Sequence, residues 1–182
     1  MELEVSPETA AAHEAGHAVV ALACGIPVGW VEVRATNPSL RIRRYGWTEA
    51  LEDNWMASEP LPQEAKILRR VALKAGGIAG EHLAGVYDPV KTPRWAMDDV
   101  GQIGAGLRDL RLIENDAVAT PQPLLTVAVR RALDVLIQNH MTFEELRGKL
   151  LAVGRVDSPS MISSWTDADD RQFMQDLMAA KA

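Results

Sequence analysis

Between Ala10 and Cys24 small and apolar residues fill almost every position, broken only by His13, Glu14 and His17. A helix that is apolar on all its faces has to be buried. Ser6, Pro7 and Glu8 mark its start, with a hydroxyl to cap free N–H groups, a proline in the first turn and an acid at the positive end of the helix dipole. Gly25 and Pro27 end it. Gly16, in its middle, costs about 1 kcal/mol against alanine, and the return expected is close approach by a neighbouring segment.

The pattern then changes. Residues 28 to 35 and 40 to 48 alternate partially and carry β-branched and aromatic side chains, with "TNPS" between them, which predicts a small antiparallel pair. Helical spacing returns from Pro62 to Leu83, with Ile67, Val71, Ile78 and Leu83 inward. Gly76 and Gly77 within it weaken propensity but permit tight helix packing. The stretch "GVYDPVKTPRWA" reads as a loop, followed by a helix from near Met97 towards Asn115. Two more helices are expected at 121 to 140 and 142 to 153, the second opening on Thr142, Glu144 and Glu145 as a capped first turn. After Gly154 the polar "RVDSPSMISSW" reads as a linker, and residues 166 to 182 as a short amphipathic helix with Phe173, Leu177 and Met174 as its stripe. The expectation is a mainly α fold with a small β-sheet (α+β). A domain over residues 1–154 is followed by a linker and helical tail over 155–182.

Composition narrows the function. A net charge of -6, with no run of lysine and arginine, argues against a general nucleic-acid binder. Cys24 is the only cysteine, so an internal disulfide and a thiolate zinc site are both excluded. The acidic opening "MELEVSPETA" has no signal-peptide character, and the apolar run Ala15 to Ala23 is far short of a membrane span. The chain is expected to be cytoplasmic, with no membrane span.

The polar residues of the first helix carry the chemistry. At roughly 100° per residue, His13 and His17 stand one above the other on a single face, the spacing that grips a metal ion. Glu14, about a quarter-turn from His13, can reach a water held there. Burying two imidazoles and a carboxylate without a shared partner would be costly, which favours a metal over two core histidines. Catalytic zinc takes a third protein ligand. No histidine follows at metzincin spacing, since Val20 and Ala23 occupy those places. Asp98, Asp99, Glu81, His82 and His140 remain as sources, and spacing alone does not choose among them.

Three stretches, "HEAGHAVV" at 13 to 20, "AGGIAGEHLAG" at 75 to 85 and "AMDDV" at 96 to 100, resemble the peptidase domain of the FtsH-type ATP-dependent zinc metalloproteases. Weaker likenesses are "YGWT" at 45 to 48 and "LIQNHMTFEEL" at 136 to 146. The resemblance spans roughly residues 6 to 153. It implies a zincin-like helical domain holding one Zn²⁺ per chain. The third ligand would be Asp99, in the place of the family's ligand aspartate, with Asp98 replacing the asparagine before it.

On that resemblance Glu14 is the general base of a peptide-bond hydrolase and Glu81 orients a ligand histidine by accepting its other N–H. Tyr45, Gly46, Trp47 and Thr48 form the strand beside which a polypeptide substrate lies. Trp30 and Trp47 are either cleft residues or core aromatics. The chain carries no Gly-x-x-x-x-Gly-Lys-Ser/Thr sequence to bind nucleotide. The function expected is therefore a zinc metalloendopeptidase acting on unfolded or flexible polypeptides, unaided or fed by a separate ATPase partner. The alternative is a zinc-binding regulatory or docking module that works with such a partner and does not cut.

Overall fold

The computed structural model describes residues 5–33, 46–114 and 119–181. Helix α1, Pro7–Ala23, runs through the middle, and every residue from Ala10 to Cys24 is buried. Its first turn is capped as the local sequence demands: Thr9 donates its N–H to Ser6 Oγ at 3.1 Å, and Pro7 opens the helix. Gly25 turns the chain away at φ +79°.

Helix α3, Gln63–Leu83, lies against α1. The two backbones touch, because a Cβ placed on Gly16 would strike the carbonyl oxygen of Gly76, and one on Gly80 would strike that of Ala12. Small residues at the crossing thus bring the face bearing His13 and His17 against residues 73 to 81 of α3.

A three-stranded antiparallel sheet of order β2-β1-β3 covers another side of α1. It consists of β1, Val28–Val33, β2, Gly46–Ala50, and β3, Arg155–Asp157. The register sets Val31 opposite Thr48 and Glu32 opposite Trp47. The expected turn "TNPS" and the first part of the second strand lie outside the described residues. β3 falls in the stretch read as a linker; at three residues it is too short to show alternation, and its pairing with β1 makes it a strand.

Four further departures have local causes. Helix α2, Glu52–Ser58, was not expected, for Leu51 makes no side-chain cap and only Trp55 of its seven residues is buried. A single turn, α4, Thr92–Trp95, interrupts the expected loop. Helix α5, Met97–Asp109, stops before Asn115 because Arg111 turns left-handed at φ +57° and Leu112 bonds back to Leu107. Helix α6, Gln122–Gln138, is separated only by Asn139 from α7, His140–Val153, so Thr142 lies inside α7 and does not cap it.

Helix α8, Asp167–Lys181, buries Phe173 and Leu177 completely, with Met174 partly covered. It packs on α6 and α3. Among the described residues no helix is long and apolar enough to cross a membrane.

Candidate metal centre

His13 and His17, one turn apart on α1, set their rings nearly perpendicular with centroids 4.6 Å apart. Their Nε2 atoms face each other at 2.9 Å. Asp99, in the first turn of α5, brings Oδ2 to 3.0 Å from Nε2 of His13 and 3.5 Å from Nε2 of His17. One donor atom from each of the three residues lies within 4.8 Å of the others, and the three can hold a metal ion.

The far side of each ring explains why these atoms converge. Nδ1–H of His13 donates to Glu81 Oε1 at 2.8 Å, and Nδ1–H of His17 donates to the carbonyl oxygen of Leu73 at 2.8 Å. A carboxylate and a carbonyl can only accept, so both Nδ1 atoms carry hydrogen and both Nε2 atoms are turned to one point. Two imidazole lone pairs and a carboxylate aimed at one buried place call for a cation. With a proton as that cation, His13 is the group that takes it. Burial opposes the charge, but the bonds to Asp99 and Glu81 outweigh burial and raise its pKa to about 10. Burial likewise opposes ionisation of Asp99, and the adjacent His17 and His13 overcome it and hold the carboxyl well below its usual range.

Glu14 lies in the same cleft, buried, with Oε2 accepting the Thr48 hydroxyl at 2.8 Å. Burial pushes its pKa up, against the pull of the two histidines. That direction suits a carboxylate meant to accept a proton near neutral pH. Two glycines make room for these groups. A Cβ on Gly77 would enter the ring of His13, and one on Gly46 would strike the Glu14 side chain.

The cleft above the site holds about 280 Å³ and is edged by Gly46, Trp47 and Thr48 of β2. Among the described strands β2 pairs only with β1. Trp47 is 45% exposed at the cleft, whereas Trp30 lies half-buried under the Arg155 guanidinium, 4.5 Å from its ring centre. Tyr45 lies outside the described residues. Asp98 lines the cleft beside Asp99. His82 stacks on Tyr87 with ring centres 3.8 Å apart, and His140 opens α7; neither joins the three donors.

Sequence reasoning missed the Leu73 carbonyl, the space left by Gly77 and Gly46, and Thr92, whose hydroxyl donates to Glu81 Oε2 at 2.6 Å. The glycine pair was the available signal, though only Gly76 serves helix packing and Gly77 serves His13. Nothing in the local sequence marks Thr92. Compared with known proteins, the chain matches no family model and none of the curated proteins.

Proposed function

We propose that this chain is a zinc-dependent metalloendopeptidase acting on unfolded or flexible polypeptides. The observation that carries the reading is the buried Glu14 carboxylate in one cleft with a His13, His17 and Asp99 donor set. A purely structural zinc site needs no such base and fills its fourth position with protein. The resemblance to the FtsH-type peptidase domain supports the same assignment, and Glu81 and the Leu73 carbonyl supply the partners that ligand histidines need.

His13, His17 and Asp99 would hold the ion. A zinc ion held there would supply Lewis acidity towards a carbonyl and lower the pKa of a bound water towards neutrality. Glu14 takes the proton of the attacking water and passes it to the leaving amine. Thr48 keeps the Glu14 carboxyl turned into the cleft through its hydroxyl. β2, whose Gly46, Trp47 and Thr48 line the cleft, binds substrate backbone as an added strand, which gives affinity with little side-chain selectivity.

The test joins zinc content with cleavage of casein, for the wild type and Glu14→Gln. One equivalent of zinc in both, with cleavage by the wild type alone, is the expected result. Zinc without cleavage in either would give preference to a docking or regulatory module, or to delivery of substrate by a separate ATPase. Cleavage unchanged in Glu14→Gln would remove this mechanism.

A further inference from the structure

His13 and His17 are held differently. The Nδ1–H of His17 meets the Leu73 carbonyl, a backbone group that α3 fixes by itself. His13 meets a side chain, and Glu81 is fully buried with a second oxygen to satisfy. That oxygen, Oε2, accepts the hydroxyl of Thr92 at 2.6 Å. Thr92 is itself buried, and its Oγ1 accepts the N–H of Asp88 at 3.2 Å. With an N–H already pointing at its oxygen, the single hydroxyl proton has one use, which is to bind Glu81.

The loop between α3 and α5 is built to deliver that hydroxyl. Gly85 reverses the chain at φ +70°, and Val86 N–H bonds to the Glu81 carbonyl. Asp88 Oδ1 then accepts the N–H groups of Val90 and Lys91 at 2.8 and 3.0 Å, and its carbonyl accepts that of Thr92 at 2.9 Å. Seven residues past Thr92 the same run of chain presents Asp99 to the other nitrogen of His13. One segment therefore grips His13 at both ring nitrogens, through Thr92 and Glu81 on one side and Asp99 on the other.

We propose that Thr92 is a positioning residue of the metal centre, which orients His13 by fixing the Glu81 carboxylate and does not act on His17. The inference rests on the reading of His13, His17 and Asp99 as metal ligands. A direct partner of a ligand histidine, here Glu81, is worth about 10- to 100-fold in metal affinity, and Thr92, one bond further out, a smaller factor.

The experiment compares wild type with Thr92→Val, Thr92→Ala and Thr92→Ser in two measurements. One is Zn²⁺ affinity by competition with a chelator. The other is the ¹⁵N spectrum of the imidazoles in the metal-free protein. Thr92→Val and Thr92→Ala should each bind Zn²⁺ several-fold more weakly, short of the roughly 10- to 100-fold expected for loss of a direct partner such as Glu81. They should also shift the ring nitrogens of His13 more than those of His17, which feels the change only through the contact between the two Nε2 atoms. Thr92→Ser, which keeps the hydroxyl, should restore both. Unchanged His13 signals and wild-type affinity in a folded Thr92→Val would overturn the proposal, as would equal shifts in both rings. Failure of both hydroxyl-free variants to fold would overturn it too, by making Thr92 a prop for the whole fold. A wild type that binds no Zn²⁺ would sink the metal reading instead, and the ring spectra would still decide whether Thr92 orients His13.

Discussion

The two ends of α3 each carry a buried ionic cluster, and the clusters differ in one respect. At Arg69 the guanidinium bonds to both oxygens of Asp170, at 3.1 and 2.7 Å, and to the Cys24 carbonyl at 3.3 Å. Trp165 adds its indole N–H to Asp170 at 2.7 Å. Each strong group there finds its complement within the chain. Twelve residues on, roughly 18 Å along the helix, Glu81 backs a set of donors that converge on one point beside an open cleft. The first arrangement is complete and fastens α8 to the core. The second gathers three donors that can hold a metal ion, and that convergence separates a candidate site from a structural ion pair.

The largest expected effect comes from breaking the complete cluster. Asp170→Ala leaves the Arg69 charge buried without its partner and should cost about 3–5 kcal/mol in urea unfolding, with Zn²⁺ stoichiometry preserved. Asp99→Ala should instead abolish tight Zn²⁺ binding, and it should also lower the unfolding midpoint of the chelator-treated protein, because it takes a partner from the buried His13 charge. If the two variants exchange these outcomes, the comparison fails. A smaller loss, about 1–3 kcal/mol by overpacking, is expected for Gly16→Ala, whose methyl meets the Gly76 carbonyl. It should also weaken Zn²⁺ binding, since α1 must move away from the α3 segment that holds both rings.

The clusters should also part in their response to pH. In the metal-free protein His13 keeps its proton up to about pH 10, and a metal has to displace it. Zn²⁺ affinity should therefore rise with pH, about tenfold per unit between roughly pH 6.5 and 8.5, with release of a proton measurable by calorimetry in two buffers. At the other end, burial works to discharge Arg69, but the bonds from Asp170 prevail and its pKa is raised. That guanidinium stays charged throughout the same range, so it adds no slope to stability there. A flat Zn²⁺ affinity would mean that the His13 proton is not in the metal's place.

Legibility followed distance along the chain. α1 could be read almost whole, because its cap, its buried faces and the spacing of His13 and His17 are local properties of a helix. The cost of Gly16 likewise implied a close neighbour, though not that Gly76 would be that neighbour. β3 and α2 escaped because neither has a strong local signal: β3 is made by its pairing with β1, and α2 lacks a side-chain cap and buries only Trp55.

By itself, the sequence determined a buried helix with two imidazoles on one face and a carboxylate beside them, since helical geometry follows from neighbours a few residues apart. It left Asp98 and Asp99 equal as residues, and only the resemblance favoured Asp99. Tertiary structure decided which carboxylate meets the rings, which group backs each histidine, and that Thr92 stands behind Glu81. His13 is 68 positions from Glu81 and 86 from Asp99, and no local pattern encodes a contact across such separations. Those contacts depend on how closely α1 and α3 pack, and glycine at 16, 76 and 80 sets that distance.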